Sequence, residues 1–393
     1  MSRSLPAIKF KWILLVFAII LIIAFISANY FGVRPSVSSG IDNITLPDGF
    51  VIDVYADDLG SSLLSYPGAS PGPRMLMEKD GLLFVSIPNK GMVVTLLDTD
   101  TDKKADDVNI FISGLDSPHG LDYYDGWFYI AEEGRLIRVR DDDGDLLADK
   151  GSIQVLISDL PKGGHYTRTV KVHDEYLYLS MGSSCNVCDE EDERRAAIIR
   201  TELDGSNWTV FASGLRNSVG LAFHPETGEL YGTENGRDWL GDDLPPDEVN
   251  HIVGGGNYGW PICYGDNIHD TDFDKKEYIR NPCQEPDALP ALVNLQAHSA
   301  PLGLTFYDGS SFPDEYSGDM FVCFHGSWNR QKPTGYKIVS IDMETLEVRD
   351  FATGWLQDNN VLGRPVDVMV AEDGSLFVSD DNAGNIYRIY YAG

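Results

Sequence analysis

Positive charge is scarce in this 393-residue chain. Its 30 lysines and arginines face 61 aspartates and glutamates, a formal net charge of −31 at pH 7. A surface of that sign repels nucleic acid and anionic lipid, which sets a phosphate-binding role aside. Helical pattern is scarce as well. Beyond the N-terminal segment no apolar period of helical spacing runs longer than about three turns. There is no Gly-x-Ser-x-Gly elbow, so a serine hydrolase finds no support. Long apolar runs are limited to one, Trp12 to Ile26, extended weakly through Ala28, Tyr30 and Phe31.

That run comes after Arg3, Lys9 and Lys11. The positive flank predicts a cytoplasmic start and export of the remainder of the chain. No Ala-x-Ala cleavage site comes after it, which favours an uncleaved signal anchor over residues 1–28 against a cleaved signal peptide. Residues 29–45, with Pro35, Ser36, Ser38, Ser39 and Gly40, read as a linker, leaving 46–393 as the exported domain. Outside the cytoplasm, disulfides are the default for cysteine. Cys263 with Cys283 is the better candidate pair. Cys185-x-x-Cys188 is either a local disulfide or half of a metal site. Cys323 lies in a strand-like run and reads as a buried free thiol.

What the chain does have is aromatics at 11% and 39 glycines, a mix suited to strands and tight turns. One pattern recurs six times: a turn, an apolar or aromatic strand, then a polar or glycine-rich exit. Phe84, Tyr129, Tyr178, Tyr231, Phe321 and Phe377 mark the copies, spaced 45, 49, 53, 90 and 56 residues apart. Units of this length are those of a propeller blade. The expected fold is all-β, a six-bladed β-propeller, with residues 234–297 supplying the insertion that the long interval demands. Phe50–Tyr55 and Asn385–Tyr391 both alternate like strands, and pairing them in one blade would close the ring.

A second signature precedes each marker. It carries Arg74, His119, His165 with Arg168, Arg216 with Asn217, His298, and Arg364 in turn. In a propeller the segment leading into each innermost strand and the loop leaving the next strand lie at the same end of the axis. These side chains are therefore expected around one basic basin, suited to an anionic ligand. From Glu234 to Asn250 the oxygen-bearing residues Asp238, Asp242, Asp243, Asp247 and Glu248 gather on that face, where a hard cation such as Ca²⁺ could bind. Gly254–Pro261 either turns sharply or approaches a ligand. Two acidic loops, Asp98 to Asp106 and Asp141 to Asp149, lack the Gly and Glu of an EF-hand and read as solvated turns.

At Gly163–Arg168, Gly182–Cys188, Gly214–Phe223, Asp247–Asn250 with Asn257–Pro261, His298–Leu304, His325–Arg330 and Gly363–Asp367 the chain resembles the glucose/sorbosone dehydrogenases. These are soluble quinoproteins that oxidise aldoses with pyrroloquinoline quinone (PQQ) and Ca²⁺, and the likeness is to the sorbosone-dehydrogenase-like branch. It covers about residues 46–391. The resemblance implies that His165 takes the proton of the sugar C1 hydroxyl while a hydride passes to the quinone, with Arg216 stabilising the developing charge. It assigns PQQ contacts to Asn217, Asn235, His298, Arg330, Arg364 and Arg168, and Ca²⁺ to the carbonyls of Gly236 and Arg237. The family's C-terminal Arg-x-Arg pair is here Arg364 with Val366, and Arg330 or Lys332 stands for its fifth-blade lysine. The implied partners are a sugar and an extracytoplasmic electron acceptor, whether cytochrome, copper protein or quinone. Two other readings compete: a propeller that binds protein or glycan without chemistry, and a Ca²⁺-dependent propeller lactonase.

Overall fold

The computed structural model describes residues 41–60, 72–284 and 288–393. The expected anchor, and the linker up to residue 40, lie outside them. Residues Asn43–Gly393 form one compact unit. Among the described residues the only helices are short 3-10 turns, and strands account for the rest of the regular structure.

Six four-stranded antiparallel units succeed one another along the chain. Their innermost strands are Leu76–Lys79, Leu121–Tyr124, Arg168–His173, Leu221–Phe223, Pro301–Phe306 and Pro365–Val370. Each touches the next and the sixth touches the first, so the blades form a closed ring. The first blade begins only after Phe50–Ala56, which joins the last blade instead. There it pairs antiparallel with Asn385–Tyr391, Phe50 opposite Tyr391 and Ile52 opposite Ile389. The ends of the domain thus share one sheet, and the N-terminal strand gives the last blade its fourth strand.

The six markers all lie in second strands. Period-2 alternation turns each aromatic towards a neighbouring blade, where it fills the wedge between two diverging sheets. Phe84 meets Phe111 and Phe128 between blades one and two. Tyr129 packs with Leu177 and Leu179, Tyr178 with Leu221 and Leu230, and Tyr231 with Leu304 and Phe306. Phe321 lies 4.7 Å from Phe351, which meets Phe50 of blade six at 5.1 Å. Phe377 completes the circle against Tyr55, beside Leu83. The repeat is therefore one packing solution used six times.

The long interval is an excursion of blade four. Its third strand, Asp247–Ile252, is separated from its fourth, Val293–Leu295, by a segment that carries the small hairpin of Cys263–Tyr264 and Ile268–His269. The Cys263–Cys283 disulfide fastens that segment. Within it Gly256–Asn257 adds a fifth, parallel strand to blade three, and the Trp260 amide donates to the Gly214 carbonyl at 3.0 Å. Gly254–Pro261 thus turns against the neighbouring blade. Cys185 and Cys188 are joined to each other, which takes both sulfurs from the metal reading, and Cys323 is a buried free thiol. In the two acidic loops Asp98, Asp106, Asp141 and Asp149 accept amides of their own turns, and the carboxylates of Asp98, Asp100 and Asp106, like those of Asp141, Asp143 and Asp145, lie within 4.8 Å of one another.

Candidate active site

Each leading segment lies beside the exit of the strand after it. The His119 amide donates to Ala131, His165 to Ser183, and His325 to Ala300 across blade five. All the predicted side chains therefore come to one end of the ring. Below them Val219, Leu302 and Val366 pack together from three blades. Gly220 allows this approach, since a Cβ there would stand 2.1 Å from the Leu302 carbonyl.

His165 sits on one side of the basin, partly open to solvent. Its Nδ1 lies 3.1 Å from the Ser183 carbonyl and 3.0 Å from Ser183 Oγ. Donation from Nδ1–H to that carbonyl leaves Nε2 as the free acceptor, an assignment made from the hydrogen-bond network. Burial and then the Arg216 charge push the imidazole down to about 3, so it is neutral across the ordinary pH range. Ser183 also donates its amide to the Arg216 carbonyl at 2.7 Å, which sets the two side by side. Between them lies Gly182: a Cβ there would stand 2.5 Å from His165 Cβ and 2.4 Å from Asn217 Oδ1. Only glycine lets the histidine and the amide share this corner.

Arg216 is nearly buried. It donates to the Asn186 carbonyl at 2.8 Å, to Asn186 Oδ1 at 3.0 Å, to the Asn235 carbonyl at 3.0 Å, and to Asp238 at 3.3 Å. Asn186, closed within the Cys185–Cys188 disulfide loop, also receives the Asp238 amide at 2.8 Å. Asn235 ties blade four to blade five by donating to the Asn217 and Pro301 carbonyls. Asn217 Oδ1 is buried without a partner.

Opposite, Asp381 is held between two nitrogen donors. Arg74 reaches it at 2.8 Å and His325 Nε2 at 2.9 Å. Burial alone would raise this carboxyl, but His325 and Arg74 outweigh it and hold it at about 2. Burial keeps His325 low in spite of Asp381. Its Nδ1 then faces Arg364 at 3.5 Å, and Arg364 otherwise meets only the Gly326 carbonyl and Tyr336 Oη, each at 3.3 Å. Tyr166 Oη is buried without a partner, and burial raises it to about 12. His119 lies fully buried beneath Arg74, sealed from any ligand.

Several expected contacts are placed otherwise. Arg168 is wholly buried and turned inward, donating to the Pro161, His165 and Thr167 carbonyls. It is a strut under the His165 loop: its two terminal nitrogens are bonded to three carbonyls, and its Nε is buried without a partner. His298 lends Nε2–H to the Gly241 and Leu244 carbonyls at 2.9 and 3.0 Å. Arg330 turns to the Ala297 carbonyl and Asp243, and Lys332 is exposed. The carboxylates from Glu234 to Glu248 do not converge on an ion. Glu234 accepts from the Asn217 amide and Ser218 Oγ, Asp247 from the Gly236 and Ala300 amides, and Glu248 from Gly265 and Asn250. Burial raises them to about 8, 7 and 7. They stitch the loops of blades four and five, fixing Gly236. Arg237 is fixed by Asp270 at 2.7 Å.

Sequence reasoning missed Asp381, Asn186 and Tyr166. Asp381 had a signal, since it occupies the exit of a marker strand. Asn186 had none, because its role depends on a neighbouring blade.

Five arginines, Arg74, Arg168, Arg195, Arg216 and Arg364, gather at this end of the ring among the buried carboxylates Asp367, Asp380 and Asp381. The guanidinium groups of Arg168 and Arg195 are bonded to backbone carbonyls and that of Arg364 to neutral groups, while the Arg364 amide donates to Asp380. A six-bladed ring with arginines around an axial basin and a neutral histidine at its edge defines a propeller able to take up a polar guest. The chain belongs to the TrAA12-like family, whose profile matches residues 70–392. An uncharacterized protein of Borreliella burgdorferi is 32% identical over 88% of this chain and 91% of its own length. The PQQ-dependent pyranose dehydrogenase of Coprinopsis cinerea is 25% identical over 69% of this chain, which spans 46% of that enzyme. Among solved structures, the calcium structure of the Trichoderma reesei AA12 enzyme shares the fold with a TM-score of 0.72 at 21% identity, covering 89% of this chain and 97% of that one. The holo PQQ domain of the Coprinopsis cinerea pyranose dehydrogenase gives 0.71, also at 21%, covering 88% and 97%.

Proposed function

We propose that the protein is a PQQ- and Ca²⁺-dependent dehydrogenase that oxidises an aldose or related pyranose at C1, outside the cytoplasm. The observation that carries this reading is the pairing of a neutral His165, its Nε2 free, with a buried Arg216 beside it. The names of the Coprinopsis cinerea and Hypocrea jecorina relatives, both PQQ-dependent dehydrogenases of pyranose or sugar, support it. The site suits the cofactor: PQQ is a flat tricarboxylate, Arg364 is bonded only weakly to neutral groups, and Tyr166 Oη is a buried donor without a partner. Asn235 and His298 support its floor, and the carbonyls of Gly236 and Arg237 are the candidates for Ca²⁺. Bound there, the quinone would supply a two-electron acceptor and the ion a Lewis acid.

The chain's own residues do the rest. His165 Nε2 accepts the C1 hydroxyl proton, a task for which a neutral imidazole is suited. Arg216, fixed by Asn186 and Asn235, places positive charge beside the reacting oxygen without reorganising. Electrons would leave to a cytochrome, copper protein or quinone. The positively flanked run at Trp12–Ile26 would tether the propeller to the membrane, and the two disulfides support an exported site.

Isothermal calorimetry with PQQ and excess Ca²⁺, and then sugar bleaching of the bound quinone, tests this. Tight binding that depends on Ca²⁺ is expected. No heat of PQQ binding would leave a scaffold without redox chemistry.

A further inference from the structure

Two tryptophans at the rim of the basin have no part in the chemistry above. Trp239 is 65% exposed and Trp328 58%. Rings this large are seldom left so open without a use. They meet edge to face, centroids 5.3 Å apart and planes at 88°, forming a right-angled corner. The corner is built from two blades. Trp239 lies in the loop that leaves the second strand of blade four, and Trp328 in the corresponding loop of blade five.

Each tryptophan adjoins a residue of the axial site. Asp238 pairs with Arg216 at 3.3 Å, and Asn329 Nδ2 donates to Asp238 Oδ1 at 2.7 Å. One carboxylate thus stands between Arg216 and the corner. Trp239 also holds φ at +75°, a left-handed conformation that a bulky side chain seldom adopts. The loop keeps it because both flanks are fastened, Arg237 to Asp270 and the Gly241 carbonyl to His298. The outcome is an aromatic ring held outward beside the basin.

The chemistry of the corner selects its occupant. Aromatic faces suit the C–H face of a sugar ring. Around them stand acceptors, Asp238 and the unpartnered Asn329 Oδ1, that suit its hydroxyls. A wholly apolar ligand would leave the acceptors unpaired.

We propose that Trp239 and Trp328 form an outer saccharide subsite, stacking the second ring of an oligosaccharide whose reducing-end ring enters the axial basin. This rests on the sugar-dehydrogenase reading and narrows its substrate from a single pyranose to a neutral chain of at least two rings.

The test uses the protein without PQQ, so that loss of cofactor binding cannot disguise the result. Tryptophan fluorescence is titrated with glucose, cellobiose, cellotetraose, xylose, xylobiose and xylotetraose. At least one oligosaccharide is expected to bind about tenfold more tightly than its monosaccharide, with a change in emission. Trp328→Ala and Trp239→Ala are expected to erase that difference while leaving monosaccharide binding in place, and Trp328→Phe to restore most of it. Equal affinity for single and linked rings, unchanged binding in both alanine variants, or no binding by any sugar of the set would overturn the proposal. So would a separate assay of the PQQ-loaded variants in which they keep saccharide binding and lose only electron transfer to a protein acceptor, since the corner would then be an acceptor's docking face.

Discussion

His165 keeps a bare ring nitrogen because two influences act in the same direction. Burial disfavours its charged form, and Arg216 adds a second positive charge nearby. The hydrogen bond to Ser183 fixes the tautomer and aims Nε2 at the basin. His165→Gln is expected to cut turnover by about 10²–10⁴ while PQQ affinity, measured by calorimetry, stays the same. The pH–rate profile of the native protein should show no acid limb near pH 6.5, the ordinary histidine value, because the folded pKa of about 3 lies far below it. An acid limb at 6.5 that vanished in the variant would contradict this account. His119, sealed under Arg74, supplies no second base.

At the scale of the element, the blade is held by what lies between blades. Each marker aromatic is nearly or fully buried in a wedge that its own sheet cannot close. Phe321 is the sharpest case. It is fully buried and meets Phe351, which meets Phe50, a residue about 270 positions earlier in sequence by simple count. Phe321→Ala should destabilise the domain by about 3–5 kcal/mol, read from denaturant unfolding, because the ring is removed from a packed wedge that cannot collapse. The same substitution at exposed Trp208 should cost far less. Blade four departs from the pattern by laying Gly256–Asn257 of its long excursion along blade three, and the Cys263–Cys283 disulfide fastens that excursion.

For the whole molecule, the buried carboxylates set how stability changes with pH. Burial raises Glu234 to about 8 and Asp247 and Glu248 to about 7. Their pKa values in the unfolded chain are about 4, so above that the unfolded state releases protons that the folded state retains. Stability from these groups is complete below their unfolded pKa and is lost as pH rises through the folded values. The depressed histidines, His119, His165 and His325, act in the opposite sense below about pH 6.5, where the unfolded chain takes up protons and the folded one does not. The melting temperature of the protein without Ca²⁺ should therefore decline from pH 6.5 to 8.5. Glu234→Gln should flatten that decline, since the amide keeps an acceptor for the Asn217 amide and has no proton to lose. Moderate salt screens the surface charge in the comparison. A slope identical in both proteins would assign the decline to other groups.

The sequence by itself determined the ring. Six turn–strand copies, their aromatics and two alternating ends contain all that is needed for six blades and their closure, because strand period and turn chemistry are local properties. It also determined which end of the axis carries His165, Arg216 and Arg364, since chain direction alone decides that. Tertiary structure decided what each side chain then does. Arg168 and His298 share the histidine and arginine pattern of the others, yet they are turned to backbone carbonyls. Asp247 and Glu248 looked like ligands for a cation and are spent on amides of neighbouring loops. Asp381, Asn186 and the Trp239–Trp328 corner acquire their meaning only from contacts between blades. The reason is physical: residue type and spacing fix which backbone an amino acid can adopt, but a polar side chain bonds whatever the neighbouring blade presents, and that neighbour lies far away in sequence.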